Sequence, residues 1–474
     1  MSEILTPDIC VIGAGAGGLS VAAGAARLRV SVVLIEKGDM GGDCLNAGCV
    51  PSKTLIASAA VAEAMRQAGR FGVHPVEPRI DWPAVRQRLR QTIEAIAPND
   101  SEARYRAMGV RVLRAAARFV DPRTVEAGNV AIRARRFVLA TGSAPVIPPI
   151  AGLEFVRYLT TETIFEIETL PRRLIVVGAG AVGVELAQAF RRLGSEVIVI
   201  EAEKALARED PELAAVALDG LRREGVDLRE GKSIVRIEPR MEGVRVVVAG
   251  QEVEETVDGT HLLVAAGRRP NVDNLGLEAA GVKFDRGGVK TGGSLRTSNR
   301  RVYAVGDVTG LAQLTAAANY HAGLVLRQAL FRLPSRVRSE LVPRVTYTDP
   351  EIAWVGLSEN EARARRRAIR VLRWSLAEND RARAEGAVEG HIKVVTARDG
   401  RVLGCGIVGH AAGELIGPWA LAVSKGLMAQ DLANAVFAYP TLSEASRRAA
   451  LGVYADKLDR PWVQSALRFL RRFG

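Results

Sequence analysis

The chain has 474 residues, too many for one ordinary hydrophobic core, so about three domains are expected. It is 48% hydrophobic and 25% charged, with no apolar run long enough to span a bilayer, which argues against a helical membrane protein and for a cytoplasmic one. The net charge of +12 is almost all arginine scattered along the chain, and aromatics are only 5% of residues, so bases would find no stacking platform and no nucleic-acid partner is expected.

The chain enters a strand almost at once, at Ile9 to Ile12, which leaves no room for a cleavable signal. The strand runs into Gly13-Ala-Gly15-Ala-Gly-Gly18, then an alanine-rich helical run, then Ser31-Val-Val-Leu-Ile-Glu36. Strand, glycine turn, helix, strand and acid together make a dinucleotide-binding unit. Gly13 permits the turn, Gly15 lets backbone approach a pyrophosphate, and Gly18 allows close helix–strand packing. The helix N-terminus offers N–H groups to the phosphates, and Glu36 accepts hydrogen bonds from ribose hydroxyls.

Next comes Gly41-Gly42-Asp43-Cys44-Leu-Asn-Ala-Gly48-Cys49-Val-Pro-Ser-Lys53. Cys44 and Cys49, five residues apart, suit redox chemistry or metal binding better than a structural staple. A zinc site would want tighter spacing and a second ligand pair, so no metal site is expected. In a regular helix such residues stand about 7.5 Å apart along the axis, beyond the Cα separation of about 7 Å at which a disulfide closes. Any bridge therefore needs a distorted turn, which Gly48 eases, and closing so short a ring would leave it readily reduced. The other cysteines, Cys10 on the first strand and Cys405 in Val402-Leu-Gly-Cys405-Gly-Ile-Val408, read as inert core thiols.

The nucleotide unit then recurs: Leu174-Ile-Val-Val-Gly178-Ala-Gly180-Ala-Val-Gly183, a helix, and Glu196-Val-Ile-Val-Ile-Glu201. The intervals Gly13 to Glu36 and Gly178 to Glu201 are both 23 residues, so one chain is read as binding two dinucleotides. A carboxylate at Glu201 pairs with a ribose 2′-OH and repels a 2′-phosphate, which favours NAD(H) over NADP(H); Lys204 nearby is a single basic residue.

The segment GGDCLNAGCVPSK resembles the active-site segment of the pyridine nucleotide-disulfide oxidoreductases, which include dihydrolipoamide dehydrogenase, glutathione reductase and mercuric reductase. The resemblance runs nearly end to end. Phe137-Val-Leu-Ala-Thr141-Gly142-Ser143 is similar to the exit of that family's FAD domain, and Ala265-Ala-Gly267-Arg268-Arg-Pro270-Asn271 to the end of its NAD domain. Val302-Tyr-Ala-Val-Gly306-Asp307 matches the second FAD motif, and the stretch from Tyr347 to Gly356 opens a segment similar to the dimerisation domain. The resemblance implies an α/β fold: two Rossmann-like dinucleotide-binding domains, for FAD and NAD, plus a C-terminal α+β dimerisation domain, in a homodimer. The implied limits are 1–150 and 276–342 for the FAD domain, 151–275 for the NAD domain, 343–460 for the dimerisation domain and 461–474 for a basic amphipathic tail.

The resemblance also implies roles. One FAD per subunit and NAD(H) are the cofactors. Besides the two glycine units, the carried-over cofactor contacts are Lys37, Gly42, Asp43, Thr141, Gly142, Gly267, Arg268, Gly306, Asp307 (on the ribityl chain), Gln313, Leu314 and Thr315. Hydride passes from NADH to the flavin, and the electron pair passes on to a redox-active Cys44–Cys49 disulfide. Cys49 matches the thiolate beside the flavin, Cys44 the thiol that meets the substrate, and Lys53 with Glu185 an ion pair near flavin N5.

One departure bears on the substrate. Relatives that reduce disulfides carry a His-Pro-Thr…Glu segment supplied by the partner subunit, its His acting as acid and base. This chain reads Phe437-Ala-Tyr439-Pro440-Thr441-Leu-Ser-Glu444. A tyrosine titrating near pKa ~10, against ~6.5 for histidine, shuttles protons poorly at neutral pH. Tyrosine here is a feature of mercuric reductases, which also use a second cysteine pair near the C-terminus; no such pair is present. The leading expectation is an FAD-dependent oxidoreductase passing electrons between NAD(H) and a small thiol or disulfide. The alternatives are a metal-ion reductase like mercuric reductase and a flavin-based redox sensor. His74, His261, His321, His391 and His410 read as surface or packing residues. In the tail, which opens at Arg460, Trp462, Ala466, Phe469, Leu470 and Phe473 recur at helical spacing with arginines mostly opposite. We expect this helix to pack on the dimerisation domain, ahead of a weak contact with a membrane surface.

Overall fold

The computed structural model describes residues 3–250, 253–365, 368–455 and 461–473; Arg460 lies outside them. It divides into two compact units, Met1–Lys204 with Val226–Ser339, and Ala205–Gly225 with Glu340–Gly474.

In the first unit a parallel sheet has Ile9–Ile12 at its centre, Val32–Glu36 and Arg136–Leu139 on either side, and Arg111–Arg114 and Val302–Ala304 at its edges. Side chains alternate between its faces. Cys10 and Ile12 join Phe119, Val125 and Ile132 on one side, while Ile9 and Val11 meet Leu19, Ala22 and Val325 of the helices on the other. Covered on both faces, the strand is apolar throughout rather than alternating. Cys10 is fully buried there, and burial pushes its thiol pKa up, as it does for Cys405 in the second unit, so both are inert.

A second parallel sheet repeats the plan. Arg173–Val177 lies between Glu196–Ile200 and His261–Val264, with Asp227–Arg229 at the edge. A three-stranded antiparallel sheet, Ile234–Arg240, Gly243–Val248 and Glu255–Gly259, closes one core against it. A short antiparallel pair, Ser143–Pro145 with Arg268–Pro270, ties the segments that leave the two parallel sheets. The tie is reinforced where the Thr141 hydroxyl donates to the Asn271 carbonyl (2.7 Å) and the Asn271 amide donates to the Thr141 carbonyl (2.9 Å).

The second unit is built on a five-stranded antiparallel sheet in the order Arg344–Thr346, Glu351–Gly356, Val402–Gly409, His391–Ala397, Ile369–Ser375. Helices Gly417–Lys425 and Glu444–Leu451 contribute to its core, where the buried Trp419 indole donates to the Ser446 hydroxyl (3.0 Å), the partner a buried indole N–H requires. Lys393, only 3% exposed, is held by Asp210 (2.9 Å), Glu212 (2.7 Å) and Glu359 (3.1 Å), so its buried charge is compensated several times over. Helix Pro211–Arg223, which carries Glu212, follows the second glycine unit in sequence but groups with this unit.

The α/β architecture, with two parallel dinucleotide-type sheets and a separate antiparallel C-terminal sheet, is the one expected. In the tail, helix Pro461–Leu470 has no buried residue.

Candidate active site

The two glycine units have nearly the same geometry. Gly13 and Gly178 adopt φ of +105° and +104°, a region natural to glycine. Any side chain there would also strike the next strand, since a Cβ would stand 2.3 Å from the Ala140 carbonyl oxygen in one unit and 2.6 Å from that of Ala265 in the other. At Gly18 and Gly183 a Cβ would meet the Gly13 and Gly178 carbonyl oxygens at 1.9 and 2.0 Å, so helix and turn approach as closely as glycine allows. The acids repeat as well. Glu36 accepts from Ala14 N (2.6 Å) and Gly38 N (2.7 Å), Glu201 from Ala179 N (2.7 Å) and Glu203 N (3.0 Å). Each carboxylate thus fixes the end of its second strand against the glycine turn. Lys37 and Lys204 are exposed beside them.

The first turn also positions the cysteines. Gly41 N donates to the Ala14 carbonyl (3.0 Å), and a Cβ on Gly42 would stand 2.7 Å from Gly15 Cα. From this contact starts the short helix Gly42–Asn46, which carries Asp43 and Cys44. It breaks at Ala47 and Gly48, and helix Cys49–Gln67 begins. The pair is therefore split between two helices, the distorted turn that the spacing demands. A Cβ on Gly48 would lie 2.9 Å from both the Asp43 carbonyl and its carboxylate, so the break has no room for a side chain.

Both cysteines are thiols in this structure, and they are unlike. Cys49 is held down to about 6, first by a hydrogen bond from Cys44, then by one from Thr315 (3.7 Å between Sγ and Oγ1) and by the charge of Lys53, against partial burial. Cys44 is pushed up by the same hydrogen bond, by burial and by the negative charge of Cys49 and Asp43. The direction favours Cys49 as the more acidic thiol of the two. Lys53 lies one turn beyond Cys49 on the same helix. Its Nζ is 2.7 Å from Glu185 Oε2 on helix Ala181–Arg192, and the Glu185 side chain is 5% exposed.

Arg268 and Asp307 are linked to Asp43, beside Cys44, through Ser143, which the sequence assigns no role, and His321, expected only as a surface or packing residue, holds the turn that carries Asp307. Arg268 reaches Asp43 Oδ2 (3.3 Å) and donates to the Ser143 hydroxyl (2.8 Å), which itself donates to Asp307 Oδ2 (2.6 Å). Burial raises the Asp307 carboxyl, against the lowering effect of that hydroxyl. His321, 1% exposed, accepts from Gly306 N (3.2 Å) and is pushed down to about 4 by burial, so it is a neutral acceptor for the turn that carries Asp307. Gln313 donates to the Arg268 carbonyl (3.4 Å), and Leu314 and Thr315 begin helix Thr315–Phe331. Gly142 and Gly267 flank the tie between the two sheets at φ +69° and +110°.

Tyr439 and Glu444 belong to the second unit and are not joined to each other as the resemblance would pair them. The Tyr439 hydroxyl donates to Asp380 Oδ2 (2.7 Å), which raises the phenol further, and Glu444 instead holds Arg448 (2.7 Å). Asn379 steadies the arrangement by donating to the Thr441 carbonyl (3.1 Å).

The residues fit the cofactors that the fold implies. Helices Ala16–Arg27 and Ala181–Arg192 start without a side-chain cap, so their first N–H groups and positive dipole ends face glycine-lined turns, as a pyrophosphate requires. At the first turn Gly42 lies beside Gly15, and the half-buried Asp307, in the turn Gly306–Thr309 after the edge strand Val302–Ala304 of the same sheet, offers an acceptor.

Comparison with known proteins agrees. Residues 7–322 match the model of the pyridine nucleotide-disulphide oxidoreductases, and residues 342–450 that of their dimerisation domain. A mercuric reductase of Streptomyces lividans is 35% identical over 460 residues, 95% of this chain and 96% of that protein. A dihydrolipoyl dehydrogenase of Thermus scotoductus is 36% identical over 470 residues, 96% and 98% of the two. Among solved structures, LpdA from Mycobacterium tuberculosis superposes with a TM-score of 0.86 at 30% identity, covering 94% of this chain and 99% of that one. A Cu(II) complex of the HOCl-induced flavoprotein disulfide reductase RclA from Escherichia coli gives 0.82 at 26%, with 93% and 98% covered. The chain belongs to the pyridine nucleotide-disulphide oxidoreductases, enzymes that use FAD and a pyridine nucleotide, and it carries their dimerisation domain.

Proposed function

We propose that this enzyme, a cytoplasmic homodimer, uses NADH to reduce the Cys44–Cys49 pair and spends the dithiol on a small disulfide. The observation that carries the proposal is the placement of the two cysteines at the break between two helices, with Cys49 Sγ 3.7 Å from Thr315 Oγ1 and one turn before Lys53. FAD would be held by the first glycine unit, Gly42, Asp307 and the start of the helix at Thr315, and would supply the two-electron link between nicotinamide and disulfide. Glu201 supports NADH over NADPH, because its carboxylate would repel a 2′-phosphate.

The chain's residues then divide the work. Cys44 loses its proton and attacks one sulfur of the substrate, forming a mixed disulfide and releasing the first thiol with that proton. The Cys49 thiolate attacks the Cys44 sulfur, closes the Cys44–Cys49 disulfide and releases the second thiol, which takes a proton from solvent. Lys53, anchored by Glu185, keeps a positive charge beside Cys49 throughout. Tyr439, with its proton held by Asp380, acts as a hydrogen-bond donor rather than a base.

A second reading, reduction of a thiophilic metal ion, is favoured by that tyrosine. It stands where disulfide-reducing relatives have histidine, and relatives include mercuric reductases and, among structures, a Cu(II) complex of RclA. NADH-dependent turnover with lipoamide, Hg(II) and Cu(II) separates the readings. Disulfide reduction is supported if lipoamide turns over at least tenfold faster than either ion and Asp380→Asn shifts its pH profile. Turnover with an ion alone supports the second reading, and turnover with none favours a redox sensor.

A further inference from the structure

No step proposed above calls on residues 461–473. Helix Pro461–Leu470 continues as a turn, with Arg471 N donating to the Leu467 carbonyl (3.0 Å) and Phe473 N to that of Leu470 (3.0 Å). At 100° per residue, Trp462, Ala466, Leu467, Phe469, Leu470 and Phe473 fall within an arc of about 160°. Gln464, Ser465, Arg468, Arg471 and Arg472 occupy the rest without intermixing. The apolar arc is open to solvent: Trp462 is 66% exposed, Phe469 57%, Leu470 60% and Phe473 74%. The Phe469 and Phe473 rings meet edge to face at 5.1 Å, which makes one continuous aromatic surface.

We propose that this segment docks the enzyme on an anionic lipid surface, lying in the plane of the interface. Charge complementarity selects the occupant. The segment has three arginines and no acidic residue, which suits an anionic surface. A second copy of this chain, at net +12, is a poorer match for it. Ten helical residues extend about 15 Å, half of a bilayer core, so the helix lies on the membrane rather than crossing it. Trp and Phe on one face with arginine on the other is the pattern of interfacial helices.

The test is co-sedimentation of the full-length holoenzyme with vesicles of phosphatidylcholine alone and of phosphatidylcholine with equimolar phosphatidylglycerol. The expected result is at least tenfold more protein bound to the anionic vesicles, release by high salt, and loss of binding in both F469S/L470S and R468E/R471E/R472E. Both variants should keep wild-type turnover and thermal stability in the absence of vesicles. Binding that survives both variants, or no binding by the full-length protein, overturns the proposal. So does a fall in native mass in F469S/L470S, which would make the apolar arc a contact between copies.

Discussion

Cys49 is lowered first by the hydrogen bond from Cys44, with Thr315 and Lys53 adding to it. Removing that donor should therefore matter more than removing the lysine. In the reduced enzyme, iodoacetamide alkylation of Cys49 is expected to rise with pH around a midpoint near 6. In Cys44→Ala the midpoint should move up by at least one unit, and in Lys53→Met by less. A midpoint unmoved by Cys44→Ala would remove the basis of the proposed division between the two thiols. At this scale the sequence was legible where contact is local. The Cys44–Cys49 spacing demanded a broken helix, and the break falls at Ala47 and Gly48. The link from Ser143 to Asp307, 164 residues apart, and that from Tyr439 to Asp380, 59 apart, leave no local pattern, because strand order and loop path decide which side chains meet.

The helix Thr315–Phe331 serves the site at two places. Its first residue touches Cys49, and His321, two turns on, holds the backbone of Gly306. From sequence this histidine reads as a packing residue, which is half of the matter, since periodicity shows that a position is buried and not what its ring nitrogen accepts. Its pKa lies at about 4 in the folded chain against 6.5 when free, so the unfolded chain binds the extra proton first. The stabilising contribution is whole above pH 6.5 and is lost as pH falls towards 4. By pH 5 the loss should be roughly 2 kcal/mol. Urea unfolding at pH 7 and pH 5 is expected to show that difference in the wild type and much less of it in His321→Gln. An equal loss in both would assign the acid sensitivity to other groups. Elements in general were legible because their glycines answer to backbone contacts. The turn at Gly13 and its repeat at Gly178 must pass within reach of a neighbouring carbonyl, and the sequence marks both.

One nucleotide-binding plan is used twice, and the second unit adds a five-stranded antiparallel sheet. The repeat of strand, glycines, helix and acid at equal intervals made that plan readable. The grouping of residues 205–225 with the C-terminal sheet was not readable, since it depends on long-range partners such as Lys393 with Asp210 and Glu212. On the proposed function, the two nucleotide units serve one purpose, delivery of an electron pair to Cys44 and Cys49. The most direct measurement is anaerobic titration of the oxidised holoenzyme with NADH, followed by counting of accessible thiols after denaturation, with NADPH in parallel. Two new thiols per chain are expected, reached at lower concentration with NADH, and none in Cys44→Ser or Cys49→Ser. Bleaching of the flavin by NADH without new thiols in the wild-type enzyme would contradict the proposed function.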